Sequence, residues 1–427
     1  MSSQKHKKPW LIFIAIFLAF FIGNFTGTES QLFGVTFYSV FDFLGTLFIR
    51  ALTLVVIPLV ASSIISGIAR MGGDTAFKRL GAKTFSFYVI TTLSAILLGL
   101  FTVNLLTPGD SEVLKQRIQH SSLSAVHIAA SEEVGITHLL SSLIPSNIFD
   151  AIAKGNMLGV IFFSLLFGYA LSKISKKGHA TLQNVFQELF ETMIRLTHLI
   201  MKFLPLGVFC LVAKVAATTG FESLCSLTRF FFTVLSGLAL FMFVVLPLLL
   251  KYVGKVHPIR HFRAMGPALI TAFSTSSSSA SLPVTLDCVE KGAGVSNRIC
   301  SLVIPLGMSL NMSGSALYEC VAAMFVAQVY GLDLSFSSQV MFVLLSLLTS
   351  MGVAGIPSAS LVGVVIILKA FHLPVEGIGL FLAVDRILDM CRTTVNVFSD
   401  SCCAVLVAKS EGETGILTKK TLPEIEK

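Results

Sequence analysis

The sequence predicts an all-α polytopic membrane protein, and three features of its composition lead to that fold class. Of its 427 residues, 54% are hydrophobic and only 13% are charged, whereas a soluble domain has about 25% charged residues. The mean hydropathy is +0.84. Apolar stretches long enough to span a hydrocarbon core of about 30 Å recur along the whole chain.

Six apolar stretches in the first 255 residues are predicted to span the membrane. They cover about residues 10–28, 36–68, 84–107, 146–172, 184–218 and 226–254. The first has the basic start of a signal peptide, but no small-residue cleavage site follows in 23–30, so we expect it to stay as a span. Pro58 and Pro205 predict kinks in the second and fifth spans. The polar stretch 107–145 is expected to be an external loop.

The basic residues indicate the orientation of the chain. They lie in short clusters at 5–8, 70–83, 173–177, 251–263 and 409–420. Because these clusters are separated by apolar stretches and form no single patch, the net charge of +8 does not indicate nucleic-acid binding. The positive-inside rule places both termini in the cytoplasm and predicts a multi-pass protein of the cell membrane. The eight cysteines lack a metal-binding spacing and are expected to be small buried hydrophobes.

Two polar interruptions after residue 255 predict re-entrant hairpins. The first contains an unbroken run of hydroxyl side chains at 274–279, and the second, 350–361, contains two glycines and Pro357. The four residues 279–282 recur as 358–361. Irregular backbone in the hydrocarbon region is tolerated only where it faces protein or water. Paired interrupted segments indicate an inverted-repeat transporter with a site near both breaks.

The last apolar stretch carries a polar stripe. Its members recur at intervals of three or four residues, with one adjacent pair at 392–393, and are Asp385, Asp389, Arg392, Thr393, Asn396 and Asp400. This spacing places them on one helix face, and each charge at bilayer depth costs about 2.5–3.5 kcal/mol on insertion scales. We therefore predict the wall of a polar cavity. The alternative is an ion pair between Asp389 and Arg392 with only a structural role.

The residue types in this stripe suit an acidic amino acid and an alkali cation. The planar fork of Arg392 matches a carboxylate bidentately. Asp389, one turn earlier, can hold a cationic amine. Asn396 and Asp400 supply oxygens for a hard cation such as sodium.

The preceding stretch repeats this pattern. Pro305 and Gly307 lie in mid-span, which frees backbone carbonyls for ions. Asn311, Ser315 and Glu319 are four residues apart and are expected to face one way along a helix. An intramembrane Glu is a candidate proton carrier; the alternative is a pairing acid without a transport role.

Several ordered motifs between residues 258 and 410 resemble the dicarboxylate/amino acid:cation symporter family, which includes the glutamate transporters. They lie at 274–285, 351–357 and 389–397. The resemblance implies eight transmembrane helices, two hairpins, a homotrimer and elevator-type movement. It implies a scaffold with six spans in 1–255, of which the third and sixth join the transport domain. It also implies a transport core at 256–410, with hairpins at 257–292 and 336–371 and helices at 295–330 and 376–409, and a cytoplasmic tail at 411–427.

The resemblance also implies site residues. For the substrate these are Ser277, Ser278, Ser315, Ile356, Asp389, Arg392, Thr393 and Asn396. For one sodium ion they are Gly307, Asn311, Asn396 and Asp400. For a second, bound largely through backbone carbonyls, they are Ser309, Ser350, Met351 and Val353. For a third they are Tyr88, Thr91 and Thr92 beside Asn311.

Three departures from the family pattern bear on ion coupling. Ser313 stands where the family has an Asp ligand of the third sodium, and the loss of that anion predicts a weak or empty site. Ser276 and Met390 stand where prokaryotic and animal relatives, respectively, carry an Arg. Glu319 resembles the proton-carrying Glu of the animal transporters. These departures suggest coupling to fewer sodium ions, with proton coupling through Glu319.

The predicted function is therefore secondary active symport of L-glutamate or L-aspartate, driven by sodium and protons and requiring no cofactor. Arg392 argues against the family's neutral amino acid carriers, and Asp389 argues against its carriers of amine-free C4-dicarboxylates. A channel or receptor without coupled transport is an alternative function from a different class. An enzyme is not expected, because the motif serines have no nearby His as a base. The predicted partners are an acidic amino acid and membrane lipid, without nucleic acid.

Overall fold

A computed structural model describes residues 10–70, 75–110, 144–154, 157–219, 223–332, 334–351, 358–371 and 373–417. These residues are almost entirely helical, with one antiparallel ladder between β1 (Gln31–Leu32) and β2 (Val35–Thr36). Within these ranges three helical stretches, 79–106, 227–252 and 297–329, are long and apolar enough to cross a membrane. The architecture is that of an all-α membrane protein.

The N-terminal half of the described chain forms seven helices. They are α1 (Trp10–Thr26), α2 (Phe37–Arg70), α3 (Thr75–Leu106), α4 (Ile148–Lys154), α5 (Met157–Leu171), α6 (Lys176–Ile200) and α7 (Leu204–Thr219). α2 packs against α5, α6 and α7, while α1 lies along α7. α3 instead packs against helices of the C-terminal half.

The predicted fifth span, 184–218, is wrong as a single helix. α6 ends at Ile200, a 3-10 turn covers Met201–Phe203, and α7 begins at Leu204. Pro205 lies in the first turn of α7, where a missing N–H costs no hydrogen bond, so it begins a helix rather than kinking one. Pro58, in contrast, lies within the continuous α2, and Ser62 donates to its carbonyl at 2.6 Å.

Two other predicted segments lie partly outside the described residues. The predicted fourth span, 146–172, consists of α4 and α5, and residues 155–156 between them are not described. Most of the predicted external loop, 111–143, is likewise outside the described ranges.

The C-terminal half contains the remaining helices. They are α8 (Ser223–Leu240), α9 (Leu246–Tyr252), α10 (Pro258–Thr275), α11 (Ser278–Asp287), α12 (Asn297–Leu310), α13 (Ser313–Val329), α14 (Phe336–Ser350), α15 (Ser360–Ala370) and α16 (Leu382–Ser410). π turns follow α8 (Phe241–Val245) and α11 (Cys288–Gly292), and a 3-10 turn, Val375–Leu380, precedes α16. α16 packs against α3, α8, α10, α12 and α13, so it lies at the centre of this half.

The serine run turns the chain sharply between α10 and α11, which pack against each other. Ser276 ends α10 in a left-handed conformation with φ 51°. Ser277 is extended, and its hydroxyl accepts a hydrogen bond from the Ala280 backbone N at 3.2 Å. This is the N-cap geometry that serine favours, and it explains why a run of hydroxyl side chains both ends one helix and begins the next.

The predicted helix at 295–330 is interrupted in the structure. α12 ends at Leu310, Asn311 and Met312 are non-helical, and α13 begins at Ser313. The amide oxygen of Asn396 accepts from the backbone N of Gly314 at 2.8 Å and of Ser315 at 3.3 Å. A side chain of α16 thus satisfies amides at the start of α13, which stabilises the break. Asn311 consequently does not share a helix face with Ser315 and Glu319.

Candidate functional site

The polar stripe of α16 is buried in protein. Each of its six predicted members is at most 5% exposed, and Arg392 is the largest fully buried side chain in the described chain. Unpaired ions at such positions would cost several kcal/mol each, so their partners define the site.

The guanidinium of Arg392 lies between two carboxylates of its own helix. Its Nη1 donates to Asp385 Oδ1 at 3.0 Å, and its Nη2 donates to Asp389 Oδ1 at 2.9 Å. Its Cζ lies 3.7 Å from the ring centroid of Tyr318, whose hydroxyl donates to Asp385 Oδ1 at 2.8 Å. The Nε has no hydrogen-bond partner within the described ranges. Two anions and an aromatic face therefore stabilise the cation in one orientation.

Asp389 links α16 to the segment before α15. Its Oδ2 accepts from the backbone N of Ser358 at 2.9 Å, and Arg386 Nη1 lies 3.7 Å from the same oxygen. Ser358 has φ 58° and lies within the predicted second interruption, 350–361, of which residues 352–357 lie outside the described residues. The ion pair of Asp389 with Arg392 is the one expected under the purely structural alternative. Its presence leaves the substrate assignment of both residues a prediction.

Asn396 and Ser315 form a second contact of α16 with the helix break. Asn396 Nδ2 donates to Ser315 Oγ at 3.0 Å and to Met312 Sδ at 3.3 Å. The amide oxygen of Asn396 caps α13, so both the oxygen and the nitrogen of this side chain join α16 to the start of α13. Thr393 lies three residues earlier and is 5% exposed.

Asp400 lies beside the end of α12. Its Oδ1 accepts from Asn311 Nδ2 at 2.8 Å. A Cβ added at Gly307 would lie 2.4 Å from the same oxygen, so only glycine lets the carboxylate approach this backbone. The carbonyl of Gly307 accepts from the backbone N of Asn311 at 2.9 Å. The structure thus brings together three of the four residues predicted for the first sodium ion.

A cluster of neutral groups surrounds Asn311 on its other side. The amide oxygen of Asn311 accepts from the hydroxyls of Thr91, Thr92 and Ser313 at 2.9, 3.1 and 3.0 Å. Ser313 Oγ also lies 3.1 Å from Ser399 Oγ. The Tyr88 hydroxyl donates to the Val303 carbonyl. Of the hydroxyls predicted for a third sodium ion, those of Thr91 and Thr92 therefore donate to one neutral amide oxygen and that of Tyr88 donates to a backbone carbonyl, without a carboxylate at position 313.

Glu319 is fully buried on α13 and faces α14 and α15. Its Oε2 accepts from the Thr349 hydroxyl at 2.7 Å, while its Oε1 lacks a hydrogen-bond partner within the described ranges. A Cβ at Gly363 of α15 would lie 2.2 Å from the Glu319 Cδ. The carboxyl group therefore occupies space that a glycine leaves open.

The remaining predicted residues lie at the ends of helices. Ser277 and Ser278 lie at the start of α11, which packs against α16. Ser309 lies in the last turn of α12, and Ser350 and Met351 at the end of α14. Val353 and Ile356 lie outside the described residues.

Comparison with known proteins gives the family. The matching family model is the sodium:dicarboxylate symporter family, and it covers residues 9–410. The chain belongs to this family. It is 36% identical over 408 residues to the proton/sodium-glutamate symport protein of Bacillus caldotenax, covering 95% of this chain and 94% of that relative. It is 36% identical over 415 residues to the proton/glutamate-aspartate symporter of Escherichia coli K12, covering 96% and 94%. Excitatory amino acid transporter 3 of Oryctolagus cuniculus is 32% identical over 475 residues, covering 100% and 88%.

Three residues at the site of this symporter family member were missed by the sequence reasoning. Tyr318 stacks on Arg392, Gly363 makes room for Glu319, and Ser399 joins the cluster at Ser313. Ser399 follows Asn396 by three residues and could have been found from helical spacing. Tyr318 and Gly363 carried no such signal, because their roles depend on contacts between helices far apart in sequence.

Proposed function

We propose that this chain is a secondary active symporter of L-glutamate and L-aspartate, coupled to sodium ions and protons. The observation that carries this proposal is the fully buried Arg392, held between Asp385 and Asp389 on α16. A cation that costs this much to bury is suited to a recurring anionic partner. The printed names of the relatives at 36% identity support glutamate or aspartate as that partner and sodium or protons as coupling ions.

The two acids beside Arg392 have different proposed roles. Asp389 binds the amine of the substrate, and its Oδ1 then exchanges the Arg392 Nη2 for an ammonium group. Asp385 keeps its bond to Nη1, with support from the Tyr318 hydroxyl, so the guanidinium stays oriented. The freed Nη2 and the unpartnered Nε form one edge of the fork, which then donates to the side-chain carboxylate of the substrate.

The rest of the proposed substrate site comes from the starts of α11 and α13, from α16 itself and from residue 356, which lies outside the described residues. Its members are Ser277, Ser278, Ser315, Ile356, Thr393 and Asn396. The start of α11 supplies backbone N–H groups at a positive dipole end, which suits the substrate's main-chain carboxylate. Ser358, bonded to Asp389, places the segment before α15 close to the amine.

Two sodium ions are proposed to accompany the substrate. Asp400, Asn311 and Gly307, with Asn396, would hold the first, since carboxylate, amide and carbonyl oxygens are ligands of hard cations. Ser309, Ser350, Met351 and Val353 would hold the second. The cluster of Tyr88, Thr91 and Thr92 around Asn311 is proposed to bind a third ion weakly at most, because its hydroxyls already donate to neutral amide and carbonyl oxygens and no carboxylate is present at position 313.

Glu319 is proposed to carry the proton. Its contacts with Thr349 of α14 and with the space at Gly363 of α15 place it against the predicted second hairpin. A carboxyl group there can change protonation state when that hairpin moves. The alternative, a purely structural acid, predicts transport that is insensitive to a pH gradient.

The architecture proposed for this function has eight transmembrane helices, two re-entrant hairpins, elevator-type movement and a homotrimer. The proposed scaffold lies within 1–255 and the proposed transport core within 256–410. The packing of α3 and α8 against the C-terminal helices supports their assignment to the transport part. We propose that both termini lie in the cytoplasm and that 411–427 forms a tail there.

Uptake by reconstituted protein tests the proposal. Proteoliposomes with an imposed sodium gradient should accumulate L-[³H]aspartate against its concentration gradient, which a channel cannot do. Arg392→Lys should abolish accumulation, because an ammonium cannot replace a bidentate fork. The matched control is Arg229→Gln, which removes an exposed arginine from α8 and should transport normally. Accumulation by Arg392→Lys equal to that of the control would overturn the substrate assignment.

A further inference from the structure

A basic cavity lies at one end of the helical bundle, away from the substrate site. It has a volume of about 740 Å³ and is lined by the end of α9, the start of α10, the end of α16 and the chain at 416–417. Its basic lining residues are Lys251, Lys255, His257, Arg260 and Lys409. Buried side chains of Val256, Ile416 and Leu417 form an apolar floor beneath them.

The positive charge of this cavity is not compensated by protein within the described residues. No acidic residue lines it, and Lys251, Lys255 and Lys409 make no ion pair in those ranges. Acids nearby in the sequence are engaged elsewhere. Glu411 pairs with Lys83 at 2.6 Å and with Arg79, while Glu413 accepts hydrogen bonds from Ser296. The cavity therefore concentrates uncompensated positive charge and has a positive electrostatic potential.

The start of α10 adds to this field. Pro258 and Ile259 line the cavity, so the positive end of an 18-residue helix points at it. The N-cap residue, His257, makes no side-chain capping bond. Arg260 Nη1 donates to the Leu417 carbonyl at 3.0 Å, which fixes the wall formed by the chain end. Helix starts with nearby cations are sites for phosphate groups.

The flanks of the cavity are apolar and exposed. Tyr252, Val253 and Ile259 have exposed fractions of 68%, 54% and 58%. Exposed aromatic and aliphatic side chains beside lysines are typical of the boundary between lipid acyl chains and headgroups. The same surface thus offers cations for a phosphate and apolar contacts for acyl chains.

We propose that this cavity binds the phosphate headgroup of an anionic membrane phospholipid. The proposal does not depend on which substrate is transported. Basic pockets between transmembrane helices near a membrane surface are suited to such headgroups, with each Lys or Arg contributing about fivefold in affinity. A lipid is favoured over a free anion because the apolar flanks adjoin the cations.

Thermal unfolding of the purified full-length protein tests the site. Short-chain phosphatidylglycerol should raise Tm, whereas phosphatidylcholine of the same chain length should not. The variant Lys251→Gln/Lys255→Gln/Lys409→Gln should need about a hundredfold more phosphatidylglycerol for half the effect. Lys409→Gln alone should need about fivefold more, and this single change provides the test where the triple variant does not fold.

A matched control removes the same charge elsewhere. Lys173→Gln/Lys177→Gln/Lys202→Gln changes three exposed lysines outside the cavity and should respond to phosphatidylglycerol like the unmodified protein. An equal loss of response in this control would overturn the proposal in favour of general surface charge. An equal Tm rise with inorganic phosphate at the same concentration would overturn the assignment to lipid. A lipid response seen only in Glu424→Gln/Glu426→Gln would mean that the chain's own tail occupies the cavity, which also refutes the proposal.

Discussion

Asp389→Asn is expected to separate recognition of the substrate's amine from recognition of its side-chain carboxylate. Asparagine has nearly the same shape and keeps an acceptor for the backbone N of Ser358, now 2.9 Å from Asp389 Oδ2. Arg392 keeps its 3.0 Å bond to Asp385. The change therefore removes one negative charge and the acceptor for Arg392 Nη2, while the contacts of Asp389 with Ser358 and of Arg392 with Asp385 stay in place.

The expected loss of aspartate affinity follows from the lost hydrogen bond between the Asp389 carboxylate and the substrate's amine. A hydrogen bond to a charged group contributes about 1.5–3 kcal/mol, so L-aspartate should bind about 10- to 150-fold more weakly. Succinate has two carboxylates and no amine, so it loses no contact and no longer meets the Asp389 anion. The ratio of aspartate to succinate affinity should fall by at least the same factor.

Titration calorimetry of the purified protein with both ligands, at fixed sodium concentration, measures this ratio. Asp385→Asn is the matched control, because it removes an equal charge from the other partner of Arg392. It should weaken both ligands alike, since both need the oriented guanidinium. If Asp389→Asn also weakens both ligands by the same factor, Asp389 acts only by holding Arg392, and the purely structural alternative is correct.

Further predictions concern Glu319 and Glu411. Gly363→Ala should lower Tm, because its Cβ would lie 2.2 Å from the Glu319 Cδ and overpacking costs about 1–3 kcal/mol; Glu319→Ala in the same chain should restore most of that Tm, and no recovery would refute the steric reason. Glu319→Gln should keep sodium-driven uptake but lose its response to an imposed pH gradient, measured in proteoliposomes against unmodified protein. Hydrogen bonds from Lys83 and Arg79 lower the pKa of Glu411, so its stabilisation is present above the ordinary Glu pKa of about 4.3 and is lost as the pH falls through the lowered folded value. Glu411→Gln should thus lower Tm at pH 7, and the difference should vanish in strong acid; a difference that persists there would contradict this reason.

Helix existence and the buried polar stripe could be predicted from sequence because both depend on local spacing. The stripe on α16 follows from intervals of three and four residues, and the serine run makes its turn because Ser277 caps α11. Helix ends were harder to predict. The break at Asn311 depends on Asn396 capping α13 from another helix, and no local pattern reports such a contact.

The pairing of Arg392 was predicted only in part. Its spacing from Asp389 is visible in the sequence, whereas the stacking of Tyr318 and the approach of Ser358 need the packed helices. The roles of two glycines likewise depend on contacts between packed helices. Gly307 is visible in the sequence only as a mid-span glycine and Gly363 carries no signal there, because the importance of both lies in the carboxyl groups of Asp400 and Glu319 that fill the space they leave.

The charges of the buried site favour a definite coupling ratio. The ionisable side chains around it are Arg386, Arg392, Asp385, Asp389, Asp400 and Glu319. With every acid ionised, two cations face four anions, and an acidic amino acid adds a third unbalanced negative charge. Uncompensated charge in this environment costs several kcal/mol per ion, so the proposed site predicts that substrate enters with three cations, namely two sodium ions and one proton on Glu319.

A substitution at position 313 tests the proposed balance between the buried negative charges and the coupled cations. The family's Asp there would add one more negative charge and would require one more cation, whereas Ser313, 3.0 Å from the Asn311 amide oxygen, requires none. The transported charge should therefore be two positive charges per substrate, and Ser313→Asp should raise it to three by restoring a third sodium ion. Reversal potentials in proteoliposomes at varied sodium and substrate gradients give both values, with Ser313→Asn as the neutral control of similar size. An unchanged charge ratio in Ser313→Asp would refute the link between the buried charges and ion coupling.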